Sequence, residues 1–277
     1  MRQLYVIGDP VAHSLSPLIH RAMIRQTGAA YRYDVRTVRP GELADFVSRA
    51  KDGGCAGCNV TMPLKEAIVP LLDEVDGGAA ACGAVNTVCF REGRAIGHNT
   101  DGTGFLDSLA RHGADPCGQR VLLLGAGGAA RAAAAGLQAH GFREISVCTP
   151  SDRTHVALAE AFGLRAVRWQ DRHEAPAGLV INATPLGMRG KAEEETPYDF
   201  GTAAAAGRGG LAYDIVYNPL RTRFLREAGE AGWQAVSGLD MFHAQADAQF
   251  RLWTGRGLPS EARAALEAAL GNDGARR

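Results

Sequence analysis

Between Arg120 and His140 the chain runs from an apolar segment through a glycine-rich bend into a run of alanines, and that order leaves few folds open. Arg120-Val-Leu-Leu-Leu124 is continuously apolar, the pattern of a strand buried on both faces of a parallel sheet. Gly125-Ala126-Gly127-Gly128-Ala129-Ala130 follows at once and fits G-x-G-x-x-A, with helix-forming alanines behind it. Each position has a physical task. Gly125 permits a tight turn, Gly127 lets the backbone approach a pyrophosphate, and Ala130 lets the helix pack close to the strand. The helix start then offers free N–H groups and a positive dipole end to an anion. A glycine turn in a ligand-free α/β domain is the bland alternative; the strand before and the helix after weigh against it.

The remainder of the chain extends this pattern. Downstream, apolar runs at Ile145–Cys148, Ala166–Trp169, Leu179–Asn182 and Gly210–Ile215 read as further strands, with helical spacing at Ala157–Phe162. Upstream, Leu4–Ile7, Tyr31–Val38 and Cys55–Thr61 read as strands. Helices are expected after Pro17, over Glu42–Lys51 and after Pro63, and Val85–Phe90 with Arg94–His98 reads as a hairpin. Leu239–Trp253 and Ser260–Leu270 read as two closing helices. No internal repeat or low-complexity linker interrupts the series.

The chain's 277 residues suffice for two domains of ordinary size. A 46% hydrophobic content with 22% charged residues is that of a soluble globular protein. The net charge of +0 removes any global field towards nucleic acid or a membrane surface. No apolar run approaches the roughly 20 residues needed to span a bilayer, and no signal-peptide pattern opens the chain, so a cytoplasmic location is expected. Cys55-Ala-Gly-Cys58 has redox or zinc spacing but no second ligand pair, so buried thiols and no metal are expected.

Three polar clusters precede the glycine loop. Ser14 and Ser16 lie just before a helix; they can cap it, or grip a carboxylate or a diol. Asn59-Val-Thr-Met-Pro-Leu-Lys65 places Asn59 and Thr61 on one side of a strand, with Lys65 in the following helix. Taken alone, Lys65 reads as a surface lysine. Asp101, in Asn99-Thr-Asp-Gly102, changes that: a lysine and an aspartate converging on one site make a proton-transfer pair, although Asp101 also fits a helix cap. Asn86 adds an amide able to read hydroxyls. After the second dinucleotide strand comes Thr149-Pro-Ser-Asp-Arg-Thr154. There Thr149 and Ser151 offer hydroxyls to a phosphate, Arg153 offers charge, and Asp152 is an alternative ligand for ribose hydroxyls.

With these residues the chain resembles the shikimate dehydrogenase family over nearly its whole length. The resemblance is carried by Ala12-His-Ser-Leu-Ser-Pro17, Asn59-Val-Thr-Met-Pro-Leu-Lys65, Gly83-Ala-Val-Asn-Thr87, Asn99-Thr-Asp-Gly102 and Gly125-Ala-Gly-Gly-Ala129. Asn182-Ala-Thr-Pro-Leu-Gly-Met188, Tyr213-Asp-Ile-Val-Tyr217 and Gly238-Leu-Asp-Met241 with Gln245 complete the series. It implies reversible reduction of 3-dehydroshikimate to shikimate, on the chorismate route to aromatic amino acids, by an oxidoreductase acting on small molecules as a monomer or homodimer. It implies an α/β fold: an N-terminal substrate domain (residues 1–103, completed by helices within 239–277) and a Rossmann-type dinucleotide domain (104–238), with a cleft between them. Lys65 would be the proton-transfer residue, paired with Asp101. Ser14 and Ser16 would bind the substrate carboxylate; Thr61, Asn86, Asp101 and Gln245 would hold its hydroxyls, with Tyr217 nearby. Gly125, Ala126, Gly127, Gly128 and Ala129 would hold the pyrophosphate, and Ala183, Thr184, Ile215, Gly238 and Met241 would line the nicotinamide. Thr149, Pro150 and Ser151 stand where NADP-using members usually carry Asn-Arg-Thr, and Thr154, one after Arg153, takes a later arginine position. NADP is the expected cofactor, with NAD as the alternative. The rival readings are a quinate/shikimate or aminoshikimate dehydrogenase using NAD and, more remotely, a non-catalytic shikimate-binding regulatory module.

Overall fold

A computed structural model describes residues 1–190, 192–202 and 209–274. The chain divides into two compact units, one made of Met1–Thr103 with the chain from His243 onward, the other of Gly104–Phe242.

The first unit contains β1 (Arg2–Gly8), α1 (Ser16–Thr27), β2 (Tyr31–Thr37), α2 (Leu43–Lys51), β3 (Cys55–Val60) and α3 (Leu64–Ala67). It continues through β4 (Glu74–Val75), α4 (Gly77–Cys82), β5 (Thr87–Arg91), β6 (Arg94–His98) and the start of α5 (Asp101–Arg111). Its sheet has the order β2-β1-β3-β5-β6-β4. β1 pairs parallel with β2 and β3, whereas β5 runs antiparallel to both β3 and β6, as the expected hairpin requires. Side chains alternate across this sheet: Leu4 and Val6 pack with Tyr33 and Trp253 on one face, and Ile7 packs with Phe46 and Val60 on the other. Cys55 and Cys58, three apart on β3, both lie against the Ile7 side of the sheet, because the register shifts by one residue between them. Burial pushes the Cys55 thiol up to about 11 and the Cys58 thiol well above its ordinary value, which keeps both protonated.

The second unit contains β7 (Val121–Leu124), α6 (Gly128–Ala139), β8 (Ile145–Cys148), α7 (Thr154–Phe162), β9 (Arg165–Ala166), β10 (Leu179–Asn182), β11 (Leu211–Asp214), α8 (Arg223–Glu230) and β12 (Gln234–Ser237). The order β12-β11-β10-β7-β8-β9 is parallel throughout and is that of a Rossmann fold, with the reversal of direction beside β7. The apolar run of β7 now has a reason. Val121 and Leu123 face a core built with Phe105, Ala133 and Leu158, while Leu122 and Leu124 face one built with Tyr198, Phe224 and Ala228. Each such buried side chain contributes about 1.5–3 kcal/mol of burial free energy.

Two closing helices follow, α9 (Leu239–Thr254) and α10 (Ser260–Gly274). No described helix is long and apolar enough to cross a membrane. One expected strand is shorter than read: β9 stops at Ala166, and Trp169 opens a 3-10 turn, Trp169–Asp171. Val167 still donates its N–H to Val147 (3.0 Å), but the backbone then turns, and Trp169 N–H donates to the Asp152 carboxylate at 2.8 Å.

Candidate active site

In the first unit, Lys65 and Asp101 meet. Lys65 lies in α3, whose Leu64 is fully buried and anchors the turn. The Lys65 carbonyl accepts the Val85 N–H at 2.8 Å, tying this turn to the chain that leads into β5. Its Nζ is 2.5 Å from Asp101 Oδ2; the lysine side chain is 19% exposed and the aspartate side chain 3%. The amine thus reaches solvent while its counter-ion does not. Asp101 is the first residue of α5 and not its cap. Asn99 Oδ1 accepts the N–H groups of Asp101 (3.0 Å) and Gly102 (3.4 Å), which leaves the Asp101 carboxylate for side chains.

Asn86 holds the other carboxylate oxygen, its Nδ2 donating to Asp101 Oδ1 at 2.8 Å and to Thr100 Oγ1 at 2.9 Å. Its Oδ1 accepts from Thr100 N (3.0 Å) and Thr87 Oγ1 (2.8 Å), so both ends of the amide are held in place. Gln245 Oε1 lies 3.5 Å from Asn86 Nδ2. Ser14 and Ser16 flank Leu15, the N-cap of α1, whose own side chain makes no cap bond. Ser14 Oγ accepts the Ser16 N–H at 3.3 Å, and both residues are half-buried. Thr61 follows β3 half-buried, its N–H donating to Ile7 O at 2.9 Å. Asn59 turns inward instead, its carbonyl accepting from the Tyr33 hydroxyl.

In the second unit, Gly125 ends β7 at φ +121°, and a Cβ there would stand 2.7 Å from the Ala183 carbonyl. Only glycine fits a left-handed turn packed this closely against β10. Gly127 is the extended N-cap of α6, and no side chain caps the helix, so its first N–H groups face outward. A Cβ on Gly127 would meet no protein atom, and Ala130 is fully buried beneath. The Gly125–Ala129 turn therefore fits a dinucleotide pyrophosphate. Beyond β8, Thr149 is buried and its Oγ1 is 3.1 Å from His155 Nδ1, whereas Ser151 and Arg153 are exposed. Asp152 sits at φ 49° with Oδ1 committed to the Trp169 N–H.

Ala183, Thr184 and Ile215 follow the C-terminal ends of β10 and β11, where open α/β sheets bind ligands. Gly238 follows β12, and a Cβ there would collide with the Ile215 carbonyl. Met241 is buried in the adjoining core, and Tyr217 lies 4.3 Å, ring to ring, from Phe242. Two residues without a role in the sequence reading organise these loops. Asp214 is fully buried and accepts from Thr222 Oγ1 (2.5 Å), Asn182 Nδ2 (2.9 Å) and Val216 N (3.0 Å). Asn182 Oδ1 in turn accepts from Thr184 N (2.9 Å) and Thr184 Oγ1 (2.7 Å). Burial pushes the Asp214 carboxyl up to about 7, against the pull of its three donors. The signal for both was a polar residue closing an otherwise apolar strand, in Leu-Val-Ile-Asn182 and Leu-Ala-Tyr-Asp214.

A family profile described as "Shikimate dehydrogenase substrate binding domain" matches residues 6–88. The shikimate dehydrogenase (NADP(+)) of Pelobacter propionicus is 46% identical over 265 residues, covering 96% of this chain and 95% of that protein. A crystal structure of shikimate 5-dehydrogenase from Thermus thermophilus in complex with NADP(H) and shikimate matches with a TM-score of 0.85 and 39% identity, over 98% of this chain and 100% of that one. A Listeria monocytogenes shikimate 5-dehydrogenase in complex with shikimate and NAD matches at TM-score 0.84 and 31% identity, over 98% and 96% of the two chains.

Proposed function

The chain belongs to the shikimate dehydrogenase family, and we infer that it catalyses the reversible NADP-dependent reduction of 3-dehydroshikimate to shikimate, on the chorismate route to aromatic amino acids. The observation that carries the reading is the 2.5 Å contact of Lys65 with a buried Asp101 inside the first unit. When bound, the nicotinamide is the hydride donor for the substrate carbonyl carbon, or its acceptor in reverse. Lys65 Nζ gives a proton to the substrate oxygen in reduction and takes it back in oxidation. Asp101 keeps the amine in place, and Asn86 keeps Asp101 in place. Ser14 and Ser16, at the start of α1, take the substrate carboxylate; Thr61, Asn86 and Gln245 read its hydroxyls. Gly125–Ala129 takes the pyrophosphate on the start of α6, and Ala183, Thr184, Ile215, Gly238 and Met241 take the nicotinamide. Exposed Ser151 and Arg153 read the 2′-phosphate, beside Thr149. Fixing both reactants in register supplies much of the rate.

A steady-state assay crossing shikimate and quinate with NADP and NAD tests this. The expected outcome is the highest kcat/KM for shikimate with NADP. A preference for quinate would overturn the substrate assignment, and a preference for NAD the cofactor assignment.

A further inference from the structure

Behind Asn86 the hydrogen bonding does not stop. Thr100 Oγ1, which accepts from Asn86, also accepts from Gln249 Nε2 at 3.2 Å. Gln249 Oε1 is 3.1 Å from His20 Nε2, and all of these residues are buried. The partners lie far apart in sequence, His20 in α1 and Gln249 in α9, and both belong to the first unit. His20 is boxed by aromatic rings: Tyr33 stacks on it at 4.6 Å and 15°, and Trp253 lies at 5.3 Å.

The polarity of this chain of bonds follows from its partners. Gln249 Nε2 faces two oxygens, Thr100 Oγ1 and, at 3.5 Å, Gln245 Oε1. Its carbonyl must therefore face His20, and His20 Nε2 must carry the hydrogen. His20 Nδ1 is buried with no hydrogen-bond partner among the described residues, which suits a bare lone pair better than an orphaned N–H. The imidazole is thus neutral and protonated on Nε2. Burial agrees, since it lowers the His20 pKa to about 4.

The direction matters at the far end. If Gln249 reversed, its carbonyl would face the Gln245 carbonyl and turn the Thr100 hydroxyl hydrogen away from Asn86. As it stands, Gln245 Oε1 faces the N–H groups of Asn86 and Gln249, so its own amide N–H2 is the end left for a ligand.

We propose that His20 is a positioning residue for the reaction: its Nε2–H fixes the amide of Gln249, and Gln249 fixes Thr100 and Gln245, which set the Asn86 grip on Asp101 and the donor end offered to substrate. The inference rests on the reading of Lys65 and Asp101 as the proton-transfer pair. It makes His20 matter through one hydrogen atom, not through its bulk.

The test compares His20→Phe, which keeps a ring against Tyr33 but has no donor, with His20→Gln, which returns an N–H at a similar reach. His20→Phe is expected to lower kcat/KM for shikimate roughly tenfold, the value of one buried hydrogen bond, with KM for NADP unchanged. His20→Gln is expected to recover most of that loss. Equal losses in the two variants, or no loss in His20→Phe, would overturn the proposal. Gln249→Met supplies a second route should the Phe variant fold poorly. It should reproduce the loss, and adding His20→Phe to it, where that variant folds, should change nothing further, because His20 acts only through Gln249. Additive losses would show that His20 acts elsewhere. Lys65→Ala measured alongside separates the two levels. If it keeps its turnover, the proton-transfer reading is at fault; if it loses turnover while the His20 and Gln249 variants do not, the relay is.

Discussion

Asp101 and Asp214 have almost the same burial and opposite company. The Asp101 side chain is 3% exposed, with the Lys65 ammonium at 2.5 Å and one neutral amide on its other oxygen. Asp214 is fully buried, and the groups that bond it, Thr222, Asn182 and the Val216 N–H, are all neutral. A cation offsets the desolvation of a carboxylate through charge, whereas neutral donors offset it only in part. Burial accordingly pushes Asp214 up to about 7. The partner of Asp101 is itself 19% exposed, so the pair can trade a proton with a ligand. Asp214 is sealed, and what it can do is tie the loop after β10, the loop after β11 and the start of α8 into one knot. On the proposed reading, one aspartate serves chemistry and the other serves the geometry of a binding surface.

The largest expected effect falls on the cation that distinguishes them. Lys65→Ala should lower kcat by about 10²–10⁴ while leaving NADPH binding, read by nucleotide fluorescence titration, unchanged. Asp101→Asn should reduce kcat and raise KM for shikimate together, since Asn86 then faces an amide. Near-full turnover in Lys65→Ala would remove the contrast between the two aspartates altogether.

How far each half was legible in the sequence follows from the same physics. The β7 strand and the Gly125 loop were readable because their pattern is local: a run of four buried residues, a left-handed glycine and an uncapped helix start. Lys65 and Asp101 were readable only as candidates, and their meeting is a product of the fold. β12 was missed because Gln234-Ala-Val-Ser237 is a short edge strand in which only Val236 is buried. The β9 strand was overextended because Trp169 looks like strand material, yet its side chain packs beside the second core after the backbone has turned. His20, Gln249 and Asp214 carried no local signal of function. A buried histidine and a glutamine 229 positions later become partners only when α1 and α9 enter the same unit.

A smaller effect belongs to Asp214. Asp214→Ala leaves three buried donors without an acceptor, at about 1–3 kcal/mol each, so a loss of at least about 3 kcal/mol is expected in denaturant unfolding. Asp214→Asn removes the titration. In the parent chain the folded carboxyl keeps its proton up to about pH 7 while the unfolded one releases it near 3.8. The stability linked to that proton is therefore complete below pH 3.8 and is lost as pH rises through 7. Unfolding curves across this window should slope downward in the parent and lose that component in Asp214→Asn. Parallel slopes would mean that the three donors keep Asp214 ionised in the folded chain.

Arg153 carries the comparison to the cofactor. It is exposed, whereas Asp152 beside it is tied by Oδ1 to the Trp169 N–H, which favours a phosphate over a free ribose diol at this turn. Arg153→Ala should raise KM for NADP about tenfold, the scale of one charge-assisted contact, and leave KM for NAD unchanged. Equal changes for both nucleotides would take the residue out of phosphate recognition.

Asp76 supplies the intermediate case, a half-buried carboxylate with a titratable cation. It caps α4 by accepting the Ala79 N–H at 2.7 Å, and its other oxygen is 2.7 Å from His98 Nδ1. That bond, helped by the Cys89 thiol, raises His98 from 6.5 to about 9. The folded chain thus keeps a proton that the unfolded chain releases above pH 6.5. The stability linked to it is complete below 6.5 and is lost as pH rises through 9. Asp76→Asn isolates the charge, because asparagine caps a helix about as well as aspartate does. The variant should unfold like the parent at pH 9 and above, yet lack the parent's extra stability near pH 6. The difference should be the smallest of the series, since solvent screens a pair this exposed. A parent whose stability is flat from pH 6.5 to 9 would mean that water, and not His98, balances the Asp76 charge. The cation that sets Asp101 apart from Asp214 would then have a measurable effect only where solvent is excluded.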